Sequence, residues 1–262
     1  MTDLLAAEWL KVRSLRSTWW TLGLVAVAVV ASAYLAAHAD FANFPTFDPE
    51  AQRAHGFALA DAFPLAGYLI LMIVAVAAGS SVITAEYGTG LIRTTTVAVP
   101  ARGELLLAKA AVLAAVWAVS GAVIAAGSFT TARAVLSGRH AAASLSDPGA
   151  VAAFAGAALV APVCALIGLG LGVLIRHGSA AAVTGVIVLA LAPSLLSTRQ
   201  PLSAAVNHAM VLPAWQRLTH AYGPPGAVGD LYASFRGSWV VYAAWPVAAL
   251  LLALFSIRRR DV

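Results

Sequence analysis

The chain has 262 residues, of which 61% are hydrophobic and 10% are charged, and its mean hydropathy is +0.87. A soluble domain carries about 25% charged residues, so the composition excludes an ordinary soluble domain and predicts an all-α polytopic membrane protein. The net charge of +5 fits basic loops beside anionic lipid, and no recognition motif points to nucleic acid. The only cysteine, Cys164, excludes an intrachain disulfide and a zinc site built from cysteines.

The N-terminal segment combines apolar and charged residues in a helical pattern. Leu5, Trp9 and Val12 fall on one helical stripe, whereas Glu8 and Lys11 are turned away from it. This pattern predicts a helix that lies in the membrane interface. A cleaved signal peptide is the alternative, but the apolar run that follows is longer than a usual signal core.

Six stretches lack Asp, Glu, Lys and Arg, and each reaches the roughly 20 helical residues that cross the hydrocarbon core. Backbone N–H and C=O groups in lipid need internal partners, so each stretch is predicted to be a transmembrane helix. We therefore expect a single transmembrane domain over residues 1–262. Its predicted parts are an interfacial helix at 1–16, spans at about 17–37, 62–85, 110–132, 148–175, 177–198 and 237–257, a loop at 86–109 and an outer segment at 199–236.

The basic residues favour an orientation with both termini in the cytoplasm. With the N-terminus inside, ten of the 16 Lys and Arg residues lie on the inner side and six lie on the outer side. The basic clusters at both ends of the chain are then on the inner side as well.

The connector at 176–178 is so short that spans four and five must be antiparallel neighbours. Small residues at helical spacing, Gly168 with Gly172 and Ala181 with Gly185, predict that helix backbones approach closely there.

The outer segment is semi-apolar and is interrupted by several prolines. Helices at 202–212 and 227–235 would be too short to span, so a re-entrant or interfacial hairpin is predicted before span six. Asn207, His208 and Trp215 either face a possible pathway exit or belong to a cap held by Trp and Tyr anchors.

The predicted spans offer no internal energy source. They contain no carboxylate relay of the kind that proton-driven transporters use, and no nucleophile lies near a base. Neither lysine, Lys11 nor Lys109, fits the Gly-x-x-x-x-Gly-Lys-[Ser/Thr] phosphate loop. If the protein does work, another chain must supply the energy, and we do not expect the chain itself to be an enzyme.

The loop at 86–109 is the largest predicted inner surface apart from the N-terminal helix. Gly88 and Gly90 can adopt the left-handed conformation that stops a helix. Residues 91–97 can then form a short helix, and Pro100 breaks the chain before the next span. The pattern predicts a short helix that lies across the membrane face, with a plain polar connector as the alternative.

A motif in this loop reads Glu86-x-Gly88-Thr89-Gly90-x-Ile92-Arg93-x-Thr95, followed by Pro100-x-Arg102 and Ala108-Lys109. It resembles the loop after the second helix in the permease subunits of type 2 ATP-binding-cassette (ABC) exporters, the ABC-2 type permease family. The interfacial helix, the six spans and the re-entrant outer segment before the last span are also similar to that family. The order of the predicted elements resembles that family over the whole chain, whereas the sequence motif is confined to this loop.

In that family the loop forms a cytoplasmic coupling helix, between spans two and three, that docks on a separate ATPase subunit. By resemblance, Arg93 would contact the ATPase, and Glu86 would lie at the inner end of span two, paired with Lys109 or Arg102. The implied ATPase-coupling residues are Glu86, Gly88, Thr89, Gly90, Leu91, Ile92, Arg93, Thr95, Pro100, Arg102 and Lys109.

The resemblance also implies a function. The chain would be the permease of an ATP-driven exporter in the bacterial cytoplasmic membrane, paired with an ABC ATPase as a homodimer or pseudo-dimer of permeases. No cofactor would bind to this chain, because the partner ATPase would bind ATP and magnesium. The alternatives are a non-transporting membrane anchor or immunity-type subunit, and a membrane-embedded enzyme. Charge-free spans would suit an amphipathic or lipid-like molecule, a drug or a peptide.

Overall fold

The structure is a computed structural model that describes residues 2–54, 57–89, 102–219, 231 and 233–259. Every regular element within these ranges is helical, which confirms the all-α prediction. Five helices of the described ranges are long and apolar enough to cross a membrane, so the chain is a multi-pass membrane protein. The helices are α1 (Thr2–Ser14), α2 (Arg16–Asn43), α3 (Pro49–Ala54), α4 (Phe57–Ala62), α5 (Leu65–Thr89), α6 (Arg102–Leu136), α7 (Ala150–Ile175), α8 (Gly178–Val186), α9 (Ala192–Ser194), α10 (Pro201–His208), α11 (Val211–Leu218) and α12 (Phe235–Arg259).

The five long helices, α2, α5, α6, α7 and α12, correspond to the first four predicted spans and the last one. The largest difference in length is in α6, which has 35 residues and extends beyond both ends of the predicted span at 110–132. The charge-free stretch of the sequence covers only the apolar middle of this helix, because the first turns carry Glu104 and Lys109.

The stretch predicted as span five, 177–198, is shorter and broken. Its apolar helix covers Gly178–Ser194 and contains a π-helical turn at Ile187–Leu191 before the three residues of α9. Pro193 has no N–H to donate, which interrupts the helical hydrogen-bond ladder. The helix is shorter than the roughly 20 residues that cross a bilayer, so the six-span layout is not confirmed.

The segment predicted as a re-entrant hairpin begins with two short helices rather than the single helix expected at 202–212. These helices, α10 and α11, are separated where Met210 takes an extended conformation. The second predicted helix, 227–235, lies mostly outside the described residues, and α12 begins at Phe235.

Helix α7 lies at the centre of the bundle, in contact with α5, α6 and α12. Buried residues make up 72% of its most apolar stretch, against 22% for α2 and 28% for α12. Its glycines allow a close approach, but to α5 rather than to span five as predicted. A Cβ atom at Gly168 would lie 2.1 Å from the carbonyl oxygen of Val76, and one at Gly172 would lie 2.8 Å from that of Ser80.

Candidate functional site

Four charged side chains meet where α1 packs beside the last turns of α5 and the first turns of α6. They are Glu8 and Lys11 of α1, Glu86 of α5 and Lys109 of α6, and we call them the ionic cluster. Residues three positions apart share one face of a helix, so α1 presents Glu8 and Lys11 together. We call this end of the bundle the α1 end, and the end that carries α10 and α11 the far end.

Each lysine of the ionic cluster bridges both glutamates. The Nζ atom of Lys109 donates to Oε1 of Glu86 at 2.5 Å and to Oε2 of Glu8 at 2.9 Å. The Nζ atom of Lys11 donates to Oε1 of Glu8 at 2.7 Å and to Oε1 of Glu86 at 3.0 Å. Two positive and two negative charges therefore alternate, and together they are neutral.

The ionic cluster is buried unevenly. The side chain of Lys109 is 1% exposed and that of Glu8 is 6% exposed, whereas that of Lys11 is 40% exposed. An unpaired ammonium at the depth of Lys109 would cost several kcal/mol, so its two carboxylate partners are required. Burial by itself lowers the pKa of Lys11, but the hydrogen bonds and negative charges of Glu8 and Glu86 outweigh burial and raise this pKa overall. Lys11 therefore stays charged through the neutral range.

The end of α5 has a second attachment on its other side. The guanidinium of Arg176 lies over the ring of Tyr87, 5.3 Å from its centroid. Arg176 has a left-handed backbone (φ 60°), and its N–H closes α7 by donating to the carbonyl of Gly172 at 2.9 Å. The last turns of α5 thus contact α1, α6 and the turn after α7.

Five of the eleven predicted coupling residues lie within the described ranges, and six lie outside them. Glu86 and Lys109 form an ion pair, and Lys109 is one of the two partners expected for Glu86. Thr89 ends α5 and Arg102 begins α6, so both flank the segment between these helices. The other predicted residues on this segment, which lie outside the described ranges, are Gly90, Leu91, Ile92, Arg93, Thr95 and Pro100.

Gly88 was expected to form a turn, but the structure places it inside α5. This helix continues to Thr89, and none of the described residues outside the neighbouring turns of α5 lies within 4 Å of the position that a Cβ atom of Gly88 would occupy. A glycine costs about 1 kcal/mol within a helix, which the last turn of a long helix tolerates.

Glu8 and Lys11 lie off the Trp9 stripe, as predicted, yet their role in the ionic cluster was not predicted. Glu8 is buried, because α1 has a second packed face that meets α5 and α6. A signal was present in the sequence: Lys11 and Lys109 are the only lysines among 16 basic residues, and both belong to the ionic cluster. A compact ammonium can bridge two carboxylates in a narrow space that the wide guanidinium fork of arginine does not fit.

At the far end, the side chains of two predicted exit residues lie within hydrogen-bond distance of backbone carbonyl oxygens. The Nδ2 atom of the buried Asn207 donates to the carbonyl of Pro193 at 2.9 Å, and so fastens α10 to the broken helix. The Nε2 atom of His208 lies 2.9 Å from the carbonyl oxygen of Leu231.

The third of these residues, Trp215, is fully buried in α11. Its ring stacks on the ring of Tyr68 in α5, with centroids 5.1 Å apart and planes at 25°. Nearby, the Nε1 atom of Trp245 donates to the carbonyl of Ala209 at 2.7 Å, between α10 and α11. These contacts are of the kind expected for a cap, and the pathway-exit role stays a prediction.

A family model described as ABC-2 family transporter protein matches residues 4–193. The matched region contains all four residues of the ionic cluster and the segment between α5 and α6. No curated protein matches the chain.

Proposed function

The chain belongs to the ABC-2 transporter family and is a permease component of an ABC transporter, and we propose that a separate ABC ATPase drives it through the segment at 86–109. The observation that supports this proposal is the ionic cluster. The two helices that flank the segment, α5 and α6, are joined by the Glu86–Lys109 ion pair. Both are joined to α1 by Glu8 and Lys11.

The proposed mechanism follows from these contacts. A displacement of the segment moves the end of α5 and the start of α6 together, because Lys109 bridges them through Glu86. The same lysine passes the displacement to α1 through Glu8. Helix α5 packs closely on the central α7, so movement of α5 reaches the core of the bundle. In this proposal the ionic cluster is a positioning device, and the work comes from ATP bound with magnesium by the partner.

We place the permease in the cytoplasmic membrane of a bacterium, with both termini inside, where the basic residues favour them. Two permease chains and two ATPases form the proposed complex, and the substrate moves outward. The apolar, charge-free stretches of the long helices support an amphipathic or lipid-like substrate, a drug or a peptide.

The proposal is tested by co-expressing the chain with candidate ABC ATPases and purifying the complex through the permease. We expect a stable complex whose ATPase activity rises when the permease is present. Arg93→Glu should abolish this stimulation while the protein still folds. The matched control is Arg53→Glu, which reverses a charge on the predicted outer side of the membrane and should leave the stimulation unchanged.

Wild-type stimulation in Arg93→Glu would contradict the role of the segment. Flux measured in vesicles that hold both subunits tests transport separately. ATP hydrolysis that depends on the permease, without any flux of the substrates offered, would favour the non-transporting anchor.

A further inference from the structure

An apolar groove of about 390 Å³ runs between α1 and α6, on the face of α1 that does not form the ionic cluster. Its volume lies within the range of about 300–1,000 Å³ that is usual for small-molecule sites. Its walls are Leu5, Ala6 and Trp9 of α1 together with Ala111, Val112 and Ala115 of α6.

The groove lies deeper along the transmembrane helix than the ionic cluster does. Lys109 marks the level of the ionic cluster on α6, and Ala115 lies about 9 Å further along the helix axis at 1.5 Å per residue. The groove therefore extends from α1 along α6 toward the apolar middle of that helix, the part of a transmembrane helix that lipid tails surround. The ring of Trp9 is 44% exposed, as expected for an aromatic anchor at the interface.

A positive charge stands beside the groove. Arg13 follows Trp9 by one helical turn, so it lies on the groove face of α1. Arg13 is exposed, and none of the ion pairs found among the described residues involves it. The exposed acids Asp3 and Glu104 lie in the first turns of α1 and α6. Asp3 is at the opposite end of α1 from Arg13. Glu104 precedes Ala111 and Ala115 of the groove by about two and three helical turns.

From this arrangement we propose that the groove is a binding site for an anionic glycerophospholipid. One acyl chain occupies the apolar walls, and the phosphate of the headgroup pairs with the guanidinium of Arg13. The bound lipid supports α1 from the side opposite the ionic cluster and thereby helps to hold Glu8 in place. The lipid site does not depend on the proposed ATPase coupling, and it is tested without an ATPase.

The test measures quenching of Trp9 fluorescence by lipids with dibrominated acyl chains, added to the purified full-length protein in detergent. The chain has seven tryptophans, so the Trp9 signal is taken as the difference between the wild type and Trp9→Phe. We expect phosphatidylglycerol to quench Trp9 at about five-fold lower concentration than phosphatidylcholine, which corresponds to the surface contribution of one basic residue.

Three variants identify the site. Arg13→Ala should remove the preference for phosphatidylglycerol, and Ala115→Phe should weaken quenching by both lipids because its ring fills the groove. Arg259→Ala removes a charge at the same end of the bundle, on α12, and should leave the preference intact. Arg13, Ala115 and Arg259 are all exposed, so all three variants should fold, which circular dichroism checks.

Equal quenching by the two lipids would overturn the headgroup assignment. Equal loss of the preference in Arg13→Ala and Arg259→Ala would show general surface attraction and overturn the Arg13 contact. Unchanged quenching in Ala115→Phe would overturn the groove as the site of the acyl chain.

Discussion

The two ends of the bundle are held together by different interactions. At the α1 end, side chains contact side chains: the ionic cluster joins three helices, and Arg176 stacks on Tyr87. At the far end, aromatic rings pack on one another, as Trp215 does on Tyr68, and side chains donate to backbone carbonyls. Ser128 donates to Ala62, Tyr242 to Gly156, Asn207 to Pro193 and Trp245 to Ala209.

This difference bears on which end can move. A backbone carbonyl is fixed by its own helix, so a bond to it holds one arrangement. Charged side chains on long flexible stems can exchange partners while the helices shift, provided that no buried charge loses all its partners. We infer that the helices at the α1 end can shift when the proposed ATPase acts on them, whereas the helices at the far end keep their packing.

The largest effect is expected for Lys109→Met. The substitution removes the ammonium between Glu8 and Glu86 and leaves the half-exposed Lys11 as their one cationic partner among the residues that the structure describes. Breaking a buried ion pair in this way costs about 3–5 kcal/mol of unfolding free energy. Equilibrium unfolding in mixed detergent micelles measures the loss.

The matched control for Lys109→Met is the double variant Lys109→Met with Glu86→Gln, which removes one of the two buried negative charges. We expect it to recover part of the lost stability. A Lys109→Met protein as stable as the wild type would show that the ion pairs do not hold this end together.

A smaller loss is expected for Trp215→Ala at the far end. It leaves a cavity beside Tyr68, and truncating a buried tryptophan costs about 3–5 kcal/mol in soluble cores. We expect about 2–4 kcal/mol here, because lipid is as apolar as the core and mainly packing is lost. In the complex with the ATPase, the ATP hydrolysed per substrate moved should stay at the wild-type ratio, since this end is taken to be fixed.

A lower ratio of transport to hydrolysis in Trp215→Ala than in Lys109→Met would reverse the assignment of the two ends. Trp215→Phe serves as the conservative control, because it retains an aromatic ring against Tyr68.

How far the sequence predicts this molecule depends on whether a feature is local. The long helices follow from composition, since an apolar run of sufficient length must satisfy its own backbone. The interruption of span five was missed although Pro193 is visible in the sequence. The run around it is uniformly apolar, and length alone does not show where a π-helical turn forms.

Contacts between distant residues were harder to predict. The Glu86–Lys109 pair could be expected from the sequence, because both residues lie near the ends of the segment that joins α5 to α6. The contact between Glu8 and Lys109 could not be predicted, because the two residues are far apart in the sequence. A charged residue in an interfacial helix also usually faces water. The glycines of α7 were correctly expected to allow close packing, but Gly168 does not reveal which helix it meets.

An intermediate effect is expected for Asn207→Leu. The substitution removes the amide donor from the carbonyl of Pro193, which still accepts from the N–H of Leu196, so we expect the net loss of one hydrogen bond, about 0.5–1.5 kcal/mol. Leu202→Ala on the same helix is the control. Leu202 is 80% exposed, so this change should cost less than about 0.5 kcal/mol, as surface substitutions usually do. Thermal unfolding of the two variants side by side measures the difference, and equal losses would show that the Asn207 bond does not fasten α10.

The smallest effect is expected for Lys11→Met. The side chain of Lys11 is 40% exposed, so water and salt screen its ion pairs, and we expect a loss of at most about 1 kcal/mol, smaller still in high salt. Its raised pKa sets the sign of the pH dependence. The contribution of the Lys11 ion pairs to the free energy of unfolding is fully present below the unfolded-state lysine pKa of about 10.4. It is lost only as the pH rises through the folded-state pKa of Lys11. The stability difference between wild type and Lys11→Met should therefore be constant from pH 6 to pH 9, measured by unfolding at low salt. A difference that falls within this window would mean that Lys11 loses its proton there and that its ion pairs are weaker than the geometry indicates.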